Sequence, residues 1–247
     1  MPRIRKATLG VRSLQKMLRL SSLTGIILDA VLAARTKAPL DENYFTDFQR
    51  VNADQQLRLQ SEERGHYLTI DTDQILFTHD FYVNDRQFDR DAFHAAFRVI
   101  WEAIDPVLKA REIRRVGFVA EYRFAATSEH LLTNLTKMKA GGHIDKFQMS
   151  FETRHQTGKG GLPDPTKDDF FNVIRQIYDS AMDLDHATRG FVNANLDVQH
   201  YYAPALTSEI PRAALGLQQE FDKRAPLFFE ELRAFGVRVD DTKGEHA

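Results

Sequence analysis

The chain has 247 residues, 43% of them hydrophobic and 28% charged, ordinary values for a folded globular protein with a full core. A net charge of -2 argues against generic nucleic-acid binding as the main activity. The absence of cysteine excludes disulfides and thiolate metal sites and points to a reducing, cytoplasmic compartment.

The charge is uneven. Arg3, Arg5, Lys6, Arg12, Lys16 and Arg19 precede the first acid, Asp29. Three readings stay open: an organelle transit segment; a basic arm whose Arg3, Arg5, Lys6 and Arg12 meet an acidic partner or a phosphate backbone; or the solvent face of a first strand and helix. Alternation at Leu9 and Val11 favours a strand over Lys6 to Ser13. Ser21 or Ser22 is a candidate cap for a helix over Leu23 to Arg35, with Ile26, Ile27, Ala30, Val31 and Ala34 as its stripe. The apolar run Gly25 to Ala34 contains Asp29 and falls short of the ~20 residues that span a bilayer.

Tyr44 to Val51 has a mixed strand pattern. Gln56 to Tyr82 is clearer: Leu57 and Leu59 alternate with polar residues, then come the polar turn Glu62-Glu63-Arg64-Gly65, His66 to Ile70, the turn Asp71-Thr72-Asp73, and Ile75, Phe77, His79 and Phe81 in alternation. Three strands with short turns make an antiparallel meander. Asp89 to Leu108 has helical spacing, with Phe93, Phe97, Ile100, Trp101, Ile104 and Leu108 on one face. Pro106 predicts a kink or break at Asp105.

Arg114 to Phe124 is the best-defined strand, with Val116, Phe118, Ala120, Tyr122 and Phe124 on one side and Gly117, Val119, Glu121 and Arg123 on the other. Thr127 or Ser128 caps a short helix to about Lys139, ended by Gly141-Gly142. Asp145 to His155 alternates as a strand, Gly158 to Pro165 reads as a loop, and Phe170 to Met182 fits neither period. Gly190 to Tyr202 is a strand that Pro204 ends. A long helix over Glu209 to Phe235 follows, with Pro211 in its first turn, a kink at Pro226, and Leu217, Phe221, Ala225, Phe228, Leu232 and Phe235 as its stripe. Val237 to Ala247 reads as a polar, fraying tail.

These elements imply an α+β fold: a mostly antiparallel, twisted sheet with the two long helices packed on one face. Residues 1–247 read as a single domain; two pseudo-duplicated α+β halves, about 1–125 and 126–240, are the alternative. Phe97, Trp101, Phe118, Phe221 and Phe228 are the predicted core.

Arg115-Val116-Gly117-Phe118-Val119-Ala120-Glu121-Tyr122 and Leu196-Asp197-Val198-Gln199-His200-Tyr201 carry a resemblance. The chain resembles a sporadically distributed bacterial family of uncharacterised proteins of about this length. In that family a strand of the R-I-G-L-R-Y-I-N type follows the middle helix and L-D-I-D-x-Y precedes the last one. Here Val119-Ala120 stands for the family's Arg-Tyr pair and Gln199 for its second Asp. The resemblance implies an α+β layout and brings no activity or catalytic residue with it.

No catalytic signature stands out. His79-Asp80 matches the centre of a metal-dependent phosphohydrolase motif but lies in a strand without further ligands, which favours a core or edge histidine. Gly158-Lys159-Gly160-Gly161 lacks phosphate-loop spacing. Asp71 and Asp73 lack the glycine and closing Glu of a calcium loop. There is no G-x-S-x-G and no H-E-x-x-H, and nothing calls for a metal or cofactor. One constellation remains: Glu121, Arg123, Glu152, Arg154, Asn195, Asp197, Gln199 and Tyr201 point away from the apolar sides of their strands. On neighbouring strands they make a polar sheet face, either simply solvated or the floor of a ligand site. The favoured function is a non-enzymatic binding or assembly protein acting through a protein partner or self-association. The alternative is a small-molecule or nucleotide-binding protein, or an enzyme, in which Arg123 and Arg154 converge with Asp197 to grip an anion.

Overall fold

The computed structural model describes residues 2–51, 55–108, 112–137, 144, 147–156, 161–179 and 190–239. Among these lie nine strands and four helices, in the order β1 (Lys6–Ser13), α1 (Leu20–Ala34), β2 (Asp47–Val51), β3 (Gln56–Ser61), β4 (His66–Asp71), β5 (Gln74–Asp80), α2 (Arg90–Leu108), β6 (Ile113–Ala125), α3 (Ser128–Thr136), β7 (Gln148–His155), β8 (Phe170–Asp179), β9 (Phe191–Leu206) and α4 (Ile210–Ala234). The strands form one antiparallel sheet in the order β2-β3-β4-β5-β1-β6-β9-β8-β7. Each half runs strand, helix, meander, helix, and each first strand pairs with the last strand of its own meander: β1 with β5, β6 with β9. The antiparallel pair β1–β6 joins the halves into a continuous sheet.

Period two decides the faces. Leu9 sits opposite Phe77 and Phe118, and Phe118 opposite Val198; all four are fully buried. Phe118 also meets Phe93 of α2 and Phe221 of α4, at ring distances of 6.0 and 4.9 Å. Phe97, Trp101, Phe118, Phe221 and Phe228 are all buried, as their spacing requires. Arg175 on β8 is tied to Glu231 of α4 at 2.9 Å.

Several boundaries differ from the sequence expectations, for local reasons. Helix α1 starts at Leu20 because the Ser22 hydroxyl donates back to the Arg19 carbonyl instead of capping forward amides. Its buried stripe is Leu20, Thr24, Ile27, Val31 and Ala34, and Ile26 is exposed. Helix α2 runs through Pro106 without a break; so near the C-terminal end, the ring removes only the bond to the Glu102 carbonyl. Phe170–Asp179 is a strand whose polar side carries Phe170 and Ile174 and whose apolar side carries Arg175, so neither period dominates.

Strand β9 passes Pro204 and ends at Leu206, because Pro204 lies beyond the last pair with β8 and within a register shift against β6. The expected tail begins buried: Val237 and Val239 pack into the core. Thr127 caps α3 by accepting from the His130 amide. Gly141-Gly142 and residues 157–160 and 240–247 lie outside the described residues.

Candidate functional site

Period two places the eight candidate residues, and pairing makes them neighbours. On the face opposite the Phe118 core, Arg123 pairs with Asn193, and Glu121 with Asn195. Asp197 lies between Val119 and Ile174, with Glu152 across β8. Gln199 lies between Gly117 and Asn172, with Arg154 beyond, and Tyr201 between Arg115 and Phe170. The eight therefore share one face of β6-β9-β8-β7.

This face is only half solvated, because its side chains lie down against one another. Gln199 lies over Gly117, where an added Cβ would come into ordinary contact with Gln199 Cγ at 3.4 Å. Asn172 Nδ2 donates to Gln199 Oε1 at 3.4 Å, and Gln199 Nε2 donates to Asp197 Oδ2 at 2.6 Å. Arg115 donates to Gln199 Oε1 and to the Tyr201 hydroxyl, at 3.4 and 3.2 Å. The Tyr178 hydroxyl donates to Glu121. Asn172 and Gln199 are buried, yet Asn172 Oδ1, Asn195 Oδ1 and Asp197 Oδ1 are buried atoms without a hydrogen-bond partner among the described residues. Burial lifts the Asp197 carboxyl to about 6, with Glu152 adding to the rise and the Gln199 bond and Arg115 opposing it.

The face does not build a common anion grip. Arg123 and Arg154 are three strand spacings and six residues apart in the register, about 14 Å across and about 20 Å along the sheet. Arg123 stacks on the Phe191 ring at 4.7 Å and Tyr82 at 5.9 Å. Arg154 is held by Glu152 at 3.3 Å. The surface is an extended mat of alternating donors, acceptors and charges.

The basic start belongs to the sheet. Arg3 and Arg5 reach Asp85 at 2.8 and 3.1 Å, and Arg12 reaches Asp73 at 2.8 Å. Lys6 stands on the polar face, opposite Glu121 and Asp80. His79 is a core residue, stacked on His66 at 4.2 Å and hydrogen-bonded to the Tyr44 hydroxyl at 2.8 Å. Burial holds its imidazole well below the usual range, and that of His66 at about 4. Asp71 and Asp73 form a tight turn, and no group of three or more metal-ligating side chains occurs among the described residues.

Sequence reasoning missed a second polar assembly, where β9 leaves the sheet. His200 Nε2 lies 2.9 Å from Asp169 Oδ1. Arg114, buried, donates to the carbonyls of Pro165, Asp168 and Tyr202. No motif joins two residues 31 positions apart; the one available signal was an Asp directly before β8 and a His in the facing stretch of β9. No protein-family model matches the chain, and no curated protein matches it.

Proposed function

We propose that this chain is a cytoplasmic, non-enzymatic binding protein, a member of the bacterial family it resembles, that engages a protein partner through the polar face of β6-β9-β8-β7. In this proposal α2 and α4 form the layer on the other face and leave the polar one for recognition. Asp197 supports it most: a mid-sheet carboxyl, lifted by burial to about 6, with one buried oxygen that has no hydrogen-bond partner among the described residues. An acceptor left without a donor is costly, and a partner that parts the overlying side chains and supplies a donor there converts the cost into affinity and specificity. The wide separation of Arg123 and Arg154 fits a broad protein surface better than a small anion.

A charge swap tests it. Glu152 and Arg154 pair with each other at 3.3 Å, so Glu152→Arg with Arg154→Glu keeps the pair and the net charge while inverting the pattern shown to a partner. In affinity capture from source cells, the expected result is a protein retained by wild-type bait and lost by the swap, at unchanged melting temperature. A captured set identical for the two baits contradicts the proposal.

A further inference from the structure

His200 is held more rigidly than its place in a strand requires. Its ring stacks on Phe171 at 4.1 Å and packs at a tilt against Tyr202 at 4.0 Å. Arg224 lies over Phe171 at 5.0 Å and is itself held by the Glu220 carbonyl at 2.9 Å. Rotation in the ring plane is fixed by Asp169, whose other oxygen accepts from the Ala203 amide at 3.3 Å. Arg114 braces both sides of the pair, through the carbonyl of Asp168, next to Asp169, and that of Tyr202. The guanidinium donates only to backbone carbonyls here, so it fixes the geometry of two chain segments without competing for the Asp169 carboxylate.

One polar atom of the ring is left over. An imidazole that donates Nε2–H to the Asp169 carboxylate and carries no second proton presents Nδ1 as an acceptor, and Nδ1 makes no hydrogen bond among the described residues. His200 stands on the wall of a cavity of about 540 Å³, between the end of β9 and the start of α4, lined also by Phe171, Tyr202, Leu206, Ser208 and Leu217. That volume suits a small molecule; the wall is apolar along Phe171, Leu206 and Leu217 and polar at its rim, where Thr207, Glu209 and Arg212 also face it.

We propose that this cavity binds a small, mostly apolar molecule carrying a hydroxyl group, a phenol or an alcohol, whose O–H donates to His200 Nδ1. The site lies on different elements from the Asp197–Arg154 surface, so either assignment stands if the other fails.

Gly216 of α4 offers a clean way to close it. It also lines the cavity, and a Cβ added there meets nothing within 4 Å. Gly216→Leu therefore starts a side chain at the cavity wall from a Cβ that meets no neighbour, and replacing a helical glycine raises the melting temperature. The experiment is a phenol titration of the full chain, followed by the imidazole nitrogen resonances of His200. Benzene and benzoate serve as comparison probes.

Phenol is expected to shift the Nδ1 resonance saturably, with benzene binding about fivefold to tenfold more weakly for lack of the hydrogen bond. Gly216→Leu should abolish the shift while melting no lower than wild type. Asp169→Asn, which releases the ring, should weaken phenol without abolishing it. The proposal is overturned by an Nδ1 resonance that phenol does not move, by a shift that survives Gly216→Leu, or by benzene binding as well as phenol. Preferential binding of benzoate also overturns it, since the site then recognises an anion, through Arg212 or a protonated ring.

Discussion

Asp197 and the stacked pair His66–His79 are pushed by burial toward their neutral forms, and their effects on stability oppose each other. The folded imidazoles sit at about 4 for His66 and well below the usual range for His79, whereas an unfolded histidine titrates near 6.5. As pH falls from about 6.5 to 4, the unfolded chain takes up protons that the folded chain refuses, so the histidines cost stability. Asp197 behaves in reverse. Its folded value of about 6 lies above an unfolded aspartate, so its contribution is fully present below about pH 4 and lost as pH rises through 6. Asp197→Asn should therefore be more stable than wild type at pH 7.5, by on the order of 1–3 kcal/mol. Its loss of stability between pH 6.5 and 4.5 should be steeper, because the opposing group is gone. Urea unfolding at four pH values checks both. A variant less stable at pH 7.5, or one with the wild-type slope, would show that Asp197 is already satisfied within the chain.

Among the elements, aromatic contacts within α2 and between α4 and the sheet sit in the core. Trp101 of α2 packs on Phe97 at 5.9 Å, and Phe221 of α4 meets Phe118 edge-on at 4.9 Å. Trp101→Ala or Phe221→Ala should each cost about 3–5 kcal/mol; unfolding midpoints left unchanged by both would refute the core assignment. These residues were legible in the sequence because large apolar side chains at three- and four-residue spacing fall on one face of a helix, and such a face has to be buried. Strand β1 was legible to its ends for the same kind of reason, with one face apolar and the other polar. Strand β8 was ambiguous because Ile174 lies on its polar face and Arg175 on its apolar one. The start of α1 was obscured by a serine that bonds backward, and the end of β9 by a proline at which no β8 partner is required.

For the molecule as a whole, alternation within each strand fixed which side chains share the polar face, while strand order decided what that face can do. Arg123 and Arg154 each read correctly as outward residues, yet only the order β6-β9-β8-β7 reveals the three spacings between them. The pairing of His200 with Asp169 was likewise invisible, since it depends on β8 and β9 lying side by side. The same topology joins both halves through β1–β6 into one broad sheet, on which Glu121 and Glu152 lie three strands apart and Asp197 between them. These three carboxyls bracket the proposed contact surface. Carbodiimide labelling of the chain, free and bound to its captured partner, with mass-spectrometric readout of each carboxyl, tests that surface most directly. Binding is expected to protect Glu152 and Glu121 while leaving Glu209, which immediately precedes α4, as reactive as in the free chain. Undiminished labelling of Glu121 and Glu152 in the complex would place the partner elsewhere and contradict the proposed function.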